Sequence, residues 1–113
     1  MIIAFSVQPT GEPSDPDLRR DLEAGSDSAS VHDAVAAAVR VVLDSGLPTR
    51  TSSMFTEIEG EWDEVMEVVR RATEAAGRYG SRVSLVLKAD IRPGRTGELD
   101  GKVARMESAL EPG

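Results

Sequence analysis

Apolar and polar positions alternate from residue 2 to residue 8, IIAFSVQ, with Ile3, Phe5 and Val7 on one side and Ile2, Ala4, Ser6 and Gln8 on the other. That period of two predicts a strand, ended by Pro9 and Gly11. The same alternation returns in RVSLVLKADI, residues 82–91: Val83, Leu85, Leu87, Ala89 and Ile91 share one face, and Ser84, Val86, Lys88 and Asp90 share the other. Between these strands the period changes to that of a helix. Val31, Val35, Ala38 and Val42, widened by Ala34 and Val39, predict a helix that Ser30 caps and that Gly46 and Pro48 end. Trp62, Val65, Val69, Ala72 and Ala76 predict a second helix, closed by Gly80, whose first turn holds Glu61, Asp63 and Glu64 at the positive end of its dipole. A third helix is expected around residues 101–110, with Val103, Met106 and Leu110 turned inward.

Two stretches carry no such period. Residues 49–59, TRTSSMFTEIE, read as two short extended segments broken near Ser52 and Ser53, hence a hairpin. Residues 12–29 hold Pro13, Pro16, Gly25 and an excess of acids, which predicts a solvated loop with one short helical turn around Leu18–Leu22. The resulting order is β-α-β-β-α-β-α. Two crossovers flanking a hairpin predict an α+β fold, the ferredoxin-like βαββαβ sandwich with a C-terminal helix, in a single domain over 1–113. In that sandwich one sheet face lies under the two long helices. The other face, with Ile2, Ala4, Ser6, Gln8, Ser84, Val86, Lys88 and Asp90, lacks a cover and is expected to meet a subunit, a ligand or both.

Charge and composition narrow the partners. The net charge is −7 over 113 residues, which argues against nucleic acid and anionic membrane surfaces. There is no cysteine and one histidine, His32, so disulfides, thiolate sites and His-rich metal centres drop out, and no metal is expected. No apolar run approaches a membrane span, and the N-terminal residues lack the basic start of a signal peptide. A cytoplasmic protein is the expectation.

Several side chains could carry chemistry. Glu57 and Glu59 sit in an extended segment and could face a pocket, whereas Glu61, Asp63 and Glu64 are accounted for by the helix start. Lys88 and Asp90 share the uncovered face and either contact a ligand or pair with each other or a neighbour. Ser6 faces the same way. Ser30 is first of all a helix cap, with a secondary chance of presenting backbone N–H groups to a ligand. Trp62 reads as core. No nucleophile is paired with a base, so the protein is expected not to be an enzyme.

The segments IIAFSVQPTG, SVHDAVAAAVRVVLDSGL, MFTEIEGEWDEVMEVVRRATEAAG and VSLVLKADIRPG followed by GKVARMESAL resemble the small thiamine-binding proteins. The most specific parts are IEGEWDEVMEVV at 58–69, the opening Ser6-Val7-Gln8-Pro9, and the Ser30-Val31 helix start. The acidic insert departs from the family, as do Thr49 and the Ser52-Ser53-Met54-Phe55 run. The resemblance implies a ferredoxin-like core in a homodimer or homotetramer, binding thiamine or its hydroxymethylpyrimidine half near the sheet, with no cofactor beyond that ligand. Joined to the strand faces above, it places Met54 or Phe55 as a wall against a flat ring and Glu57 and Asp90 as carboxylates for its positive charge. Ser6, Ser30, Ser53 and Thr56 are then neutral hydrogen-bonders, with Lys88 beside them. The alternative is an assembly module whose open face serves only for subunit packing.

Overall fold

The computed structural model describes residues 1–23, 31–94 and 96–111, and the side chains of residues 21–23 and 31 lie outside the description. Its elements are β1 (Ile2–Thr10), α1 (Pro16–Glu23), α2 (Val31–Asp44), β2 (Thr49–Thr51), β3 (Thr56–Glu59), α3 (Trp62–Gly77), β4 (Arg82–Asp90) and α4 (Glu98–Leu110). The four strands form one sheet in the order β2-β3-β1-β4, with every neighbouring pair antiparallel. This is the ferredoxin-like sandwich.

The inward residues of β1, Ile3, Phe5 and Val7, are buried together with Ile58 of β3, Ala38 and Val42 of α2, and Val65, Val68, Val69, Ala72 and Ala76 of α3. Ile3 and Ile58 face each other across the β1–β3 ladder, and both are fully buried. Burying a branched side chain of that size contributes about 1.5–3 kcal/mol, so this pair is one of the firmest points of the sheet. Gly46, at φ +77°, ends α2 in the left-handed conformation that glycine adopts at low cost.

The uncovered face has the expected composition, because the β1–β4 register sets Ile2 against Asp90, Ala4 against Lys88, Ser6 against Val86 and Gln8 against Ser84. β4 is less buried than its alternation predicts. Val83 and Leu87 pack against the core, whereas Leu85 and Ile91 are exposed, because β4 is an edge strand and the helices lie mainly over the centre of the sheet.

Four boundaries differ from expectation. β1 continues through Pro9, which pairs with Val83. A proline is admitted there because its nitrogen faces away from β4, toward a side where the β1–β3 ladder has already ended at Phe5. α3 stops at Gly77, three residues before Gly80. Within the expected loop, residues 16–23 form a helix rather than a single turn. Asp15 caps it, its Oδ1 accepting the Asp17 N–H at 2.8 Å, and Pro16 occupies the first helical position. The Arg78 guanidinium holds the same carboxylate at 2.7 Å, Ser14 Oγ donates to the Gly77 carbonyl at 2.6 Å, and Leu18 is buried, so this segment is fastened to the end of α3. Residues 24–29 of the expected loop, and the capping role assigned to Ser30, lie outside the described residues.

α4 is the fourth difference. It begins at Glu98 and touches the body through its first turns, where Glu59 Oε2 accepts the Glu98 N–H at 2.8 Å and Oε1 the Leu99 N–H at 3.4 Å. Arg50 reaches Asp100 at 2.6 Å, and Lys102 pairs with Asp90. Beyond that the helix leaves the protein. Val103 is half-buried, but Met106 and Leu110 are 56% and 75% exposed rather than inward.

Candidate functional site

The length of β3 creates the site. β3 has four residues against nine in β1, so the β1–β3 ladder runs from Ile2 to Phe5 and then stops. Past Phe5 the chain turns away through residues 52–55. The Ser52 N–H donates to the Phe55 carbonyl at 2.9 Å, and the Ser52 hydroxyl accepts the Phe55 N–H at 3.3 Å, so the turn is stapled at its base. The gap left beside β1 is roofed by the N-terminal half of α2. It holds a cavity of about 250 Å³ between Phe5–Gln8, the turn from Thr51 to Thr56, and Val35, Ala38 and Val39.

All of the described lining residues are uncharged. Phe5, Val7, Val35, Val39, Met54 and Phe55 supply apolar and aromatic surface, and Ser6, Gln8, Ser52, Ser53 and Thr56 supply neutral polar groups. Such a lining suits a flat, polar heteroaromatic ring. The volume lies below the range of about 300–1,000 Å³ usual for drug-sized ligands, which fits one substituted ring better than two linked ones.

Of the residues singled out from sequence, the structure brings together Ser6, Ser53, Met54, Phe55 and Thr56. Glu57, Lys88 and Asp90 do not line the cavity. Glu57 lies opposite Ala4 and Arg50, on the uncovered face. Lys88 also stands opposite Ala4, from the other side, and Asp90 stands opposite Ile2, four residues along β1 from Ser6 and hence about 13 Å away. Asp90 pairs with Lys102 rather than Lys88, and the Lys102 ammonium holds its carboxyl below the usual aspartate range. The cavity therefore opens at the edge of the sheet, between helix and turn, beyond the point where the β1–β3 ladder ends. Val35, Val39 and Gln8 line it although no motif marked them. The signal that would have found them is the inequality between a nine-residue strand and the four-residue strand beside it.

A second hollow, of about 260 Å³, lies at the other end of β1 between Met1, Leu47, Pro48, Glu59, Gly60, Glu61, Glu64, Thr96 and Gly97. All three of its carboxylates are already engaged: Glu59 by the α4 amides, and Glu61 and Glu64 by each other's backbone N–H groups in a capping box at the start of α3, the Glu61 N–H donating to Glu64 at 3.0 Å. Trp62, read from sequence as core, is 54% exposed at the start of α3 and does not line either hollow. Among the described residues no group of His, Cys, Asp and Glu side chains is placed to hold a metal ion, and no helix is long and apolar enough to cross a membrane.

The fold has counterparts. A UPF0045 protein of Mycobacterium bovis is 44% identical over 111 residues, covering 97% of this chain and 94% of its own. The structure of a domain of unknown function, DUF77, from Bacillus cereus superposes with a TM-score of 0.71 at 30% identity, covering 92% of this chain and 86% of that one. A Thermotoga maritima protein, provisionally named for thiamine biosynthesis or salvage, superposes with a TM-score of 0.61 at 21% identity, covering 94% and 99%, and shares the fold. The model of the family described as thiamine-binding protein matches residues 22–107, and with that match over most of its length the chain belongs to this family.

Proposed function

We propose that the protein binds thiamine or a related aminopyrimidine, without transforming it, in the cavity between α2 and the 52–55 turn. The observation that carries the reading is the cavity itself: a half-open gap at a sheet edge, walled by Phe55, Met54 and Val39 and dotted with neutral hydroxyl and amide groups. Ser6, Ser53 and Thr56 are the side-chain hydrogen-bonders, and Met54 and Phe55 the wall against the ring. The reading as a binder and not a catalyst rests on the chemistry of this lining. Its hydroxyls have no basic or acidic side chain beside them among the described lining residues, and acid–base or nucleophilic catalysis needs such a partner. We place the protein in the cytoplasm as a homo-oligomer, with no nucleic acid among its partners.

Titration calorimetry and thermal denaturation with thiamine, its phosphate esters and hydroxymethylpyrimidine test this. A ligand that binds only the folded state raises the midpoint with concentration. If none of these compounds gives heat or a shift, the ligand assignment is wrong. The second reading, an assembly module without a ligand, is favoured by the exposure of Val86 on the uncovered face and of Met106 and Leu110 on α4. An oligomer by light scattering, together with silence in calorimetry, would select it.

A further inference from the structure

The ladder arithmetic shows which backbone groups look into the cavity. In an antiparallel pair, residues alternate between those that exchange both hydrogen bonds with their neighbour and those that point the other way. The Gly60 N–H donates to the Met1 carbonyl at 3.0 Å, and the register pairs Ile3 with Ile58 and Phe5 with Thr56. Odd-numbered residues of β1 therefore turn their N–H and C=O toward β3, and even-numbered ones toward β4. Val7 is the next odd residue. Its partner position would be Met54, but there the chain has already left the sheet for the turn, and both residues line the cavity. No described residue hydrogen-bonds to the Val7 peptide groups on that side. The next odd residue, Pro9, has no N–H to offer, so Val7 is the last complete donor–acceptor pair on this edge.

A buried backbone donor and acceptor without partners cost free energy until something satisfies them. We propose that the Val7 N–H and C=O form a two-point main-chain reader inside the cavity. They would recognise a neutral amidine-type edge, in which a ring nitrogen accepts from the N–H and an adjacent exocyclic amino group donates to the C=O. The ligand then extends the sheet in the place of the missing β3 residue. This rests on the aminopyrimidine reading above and narrows it. Among the described residues the lining gives a cation no counter-charge and gives a phosphate no cation, so affinity comes from the aminopyrimidine ring, while the thiazolium half of thiamine or its phosphates lies outside.

The test uses the full-length, ¹⁵N-labelled chain with four probes: hydroxymethylpyrimidine bearing its 4-amino group, the same molecule without that amino group, thiamine, and the thiazole half alone. The Val7 amide proton is expected to move downfield and exchange more slowly with the aminopyrimidine and with thiamine, at affinities within about threefold of each other. Loss of the amino group leaves the Val7 carbonyl unpaired and should weaken binding about tenfold or more. The thiazole should leave Val7 unmoved. If the aminopyrimidine binds and shifts Ser53 and Phe55 but not Val7, or the des-amino compound binds equally well, main-chain reading is wrong while the ligand assignment stands. Thiamine binding far more tightly than the aminopyrimidine would overturn the claim that the neutral half carries the affinity. If neither aminopyrimidine nor thiamine binds, both readings fall.

Discussion

The two ends of β1 are built from one strand in one sheet, yet they are finished in opposite ways. At the Met1–Ile2 end, β1 has neighbours on both sides, and the adjacent carboxylates of Glu59 and Asp90 are tied to the amides and the Lys102 of α4. At the Val7–Gln8 end, β1 keeps β4 but has outrun β3, and the gap is walled by uncharged side chains under α2. The charged end has spent its hydrogen-bonding capacity on holding a helix. The neutral end has not spent its own. Ionisable residues are thus a poor guide to the site in this protein, because the conspicuous carboxylates serve α4 while the groups that remain available are hydroxyls, an amide side chain and main chain.

The largest effect expected from breaking this division is at the neutral end. Val35 sits at the cavity mouth with its side chain partly exposed, so V35W should fill the space without disturbing the core and reduce aminopyrimidine affinity at least tenfold in calorimetry. An unchanged affinity with an unchanged circular-dichroism spectrum would move the ligand elsewhere. At the charged end, E59A removes the acceptor of two α4 amides and should lower stability by about 1–2 kcal/mol in denaturant titration. Faster hydrogen exchange at Glu98 and Leu99 should accompany it, with ligand affinity unchanged. A parallel fall in affinity would show that the two ends are coupled rather than separate.

Smaller effects sharpen the contrast. L110D alters a residue exposed at the far end of α4, so the fold should keep its stability within about 0.5 kcal/mol. Sedimentation should nevertheless show weaker self-association if α4 takes part in the oligomer. The smallest effect is electrostatic. Asp90 titrates below the ordinary aspartate value, chiefly through its hydrogen bond from Lys102. A carboxyl whose pKa is depressed by folding adds stability above its unfolded value, and that stability is lost as pH falls through the depressed value. Because the pair is exposed, the gain is slight, and carboxyl NMR is the appropriate readout. K102M should return the Asp90 midpoint toward the ordinary range and leave ligand binding alone.

Much of this was legible before any coordinates. Ile3, Phe5 and Val7 declare their face by alternation, and Ala38, Val42, Val65, Val69, Ala72 and Ala76 by helical spacing, because a buried stripe must repeat with the period of its element. Asp15-Pro16 was equally legible as a helix start, but the surrounding acids and serines masked it. Trp62, Met106 and Leu110 misled in the other direction. Their spacing continues an apolar stripe past the point where anything remains to pack against, and a pattern within one element carries no information on where its neighbour ends.

The candidate site divides along the same line. Ser6, Ser53, Met54, Phe55 and Thr56 could be gathered from strand and turn positions, since a hairpin beside the first strand necessarily brings those segments close. That Glu57, Lys88 and Asp90 stay out of the lining could not, because it depends on register and on where each ladder ends. Sequence by itself determined the order of the elements apart from α1, the buried side of β1 and most of the buried stripes of α2 and α3, and the family. Tertiary structure alone decided that β3 stops short of β1, that α4 claims Glu59 and Asp90, and that the described lining of the cavity left over is neutral. The physical reason is that hydrophobic periodicity is a local property of each segment, whereas an unmatched strand edge exists only relative to a neighbour.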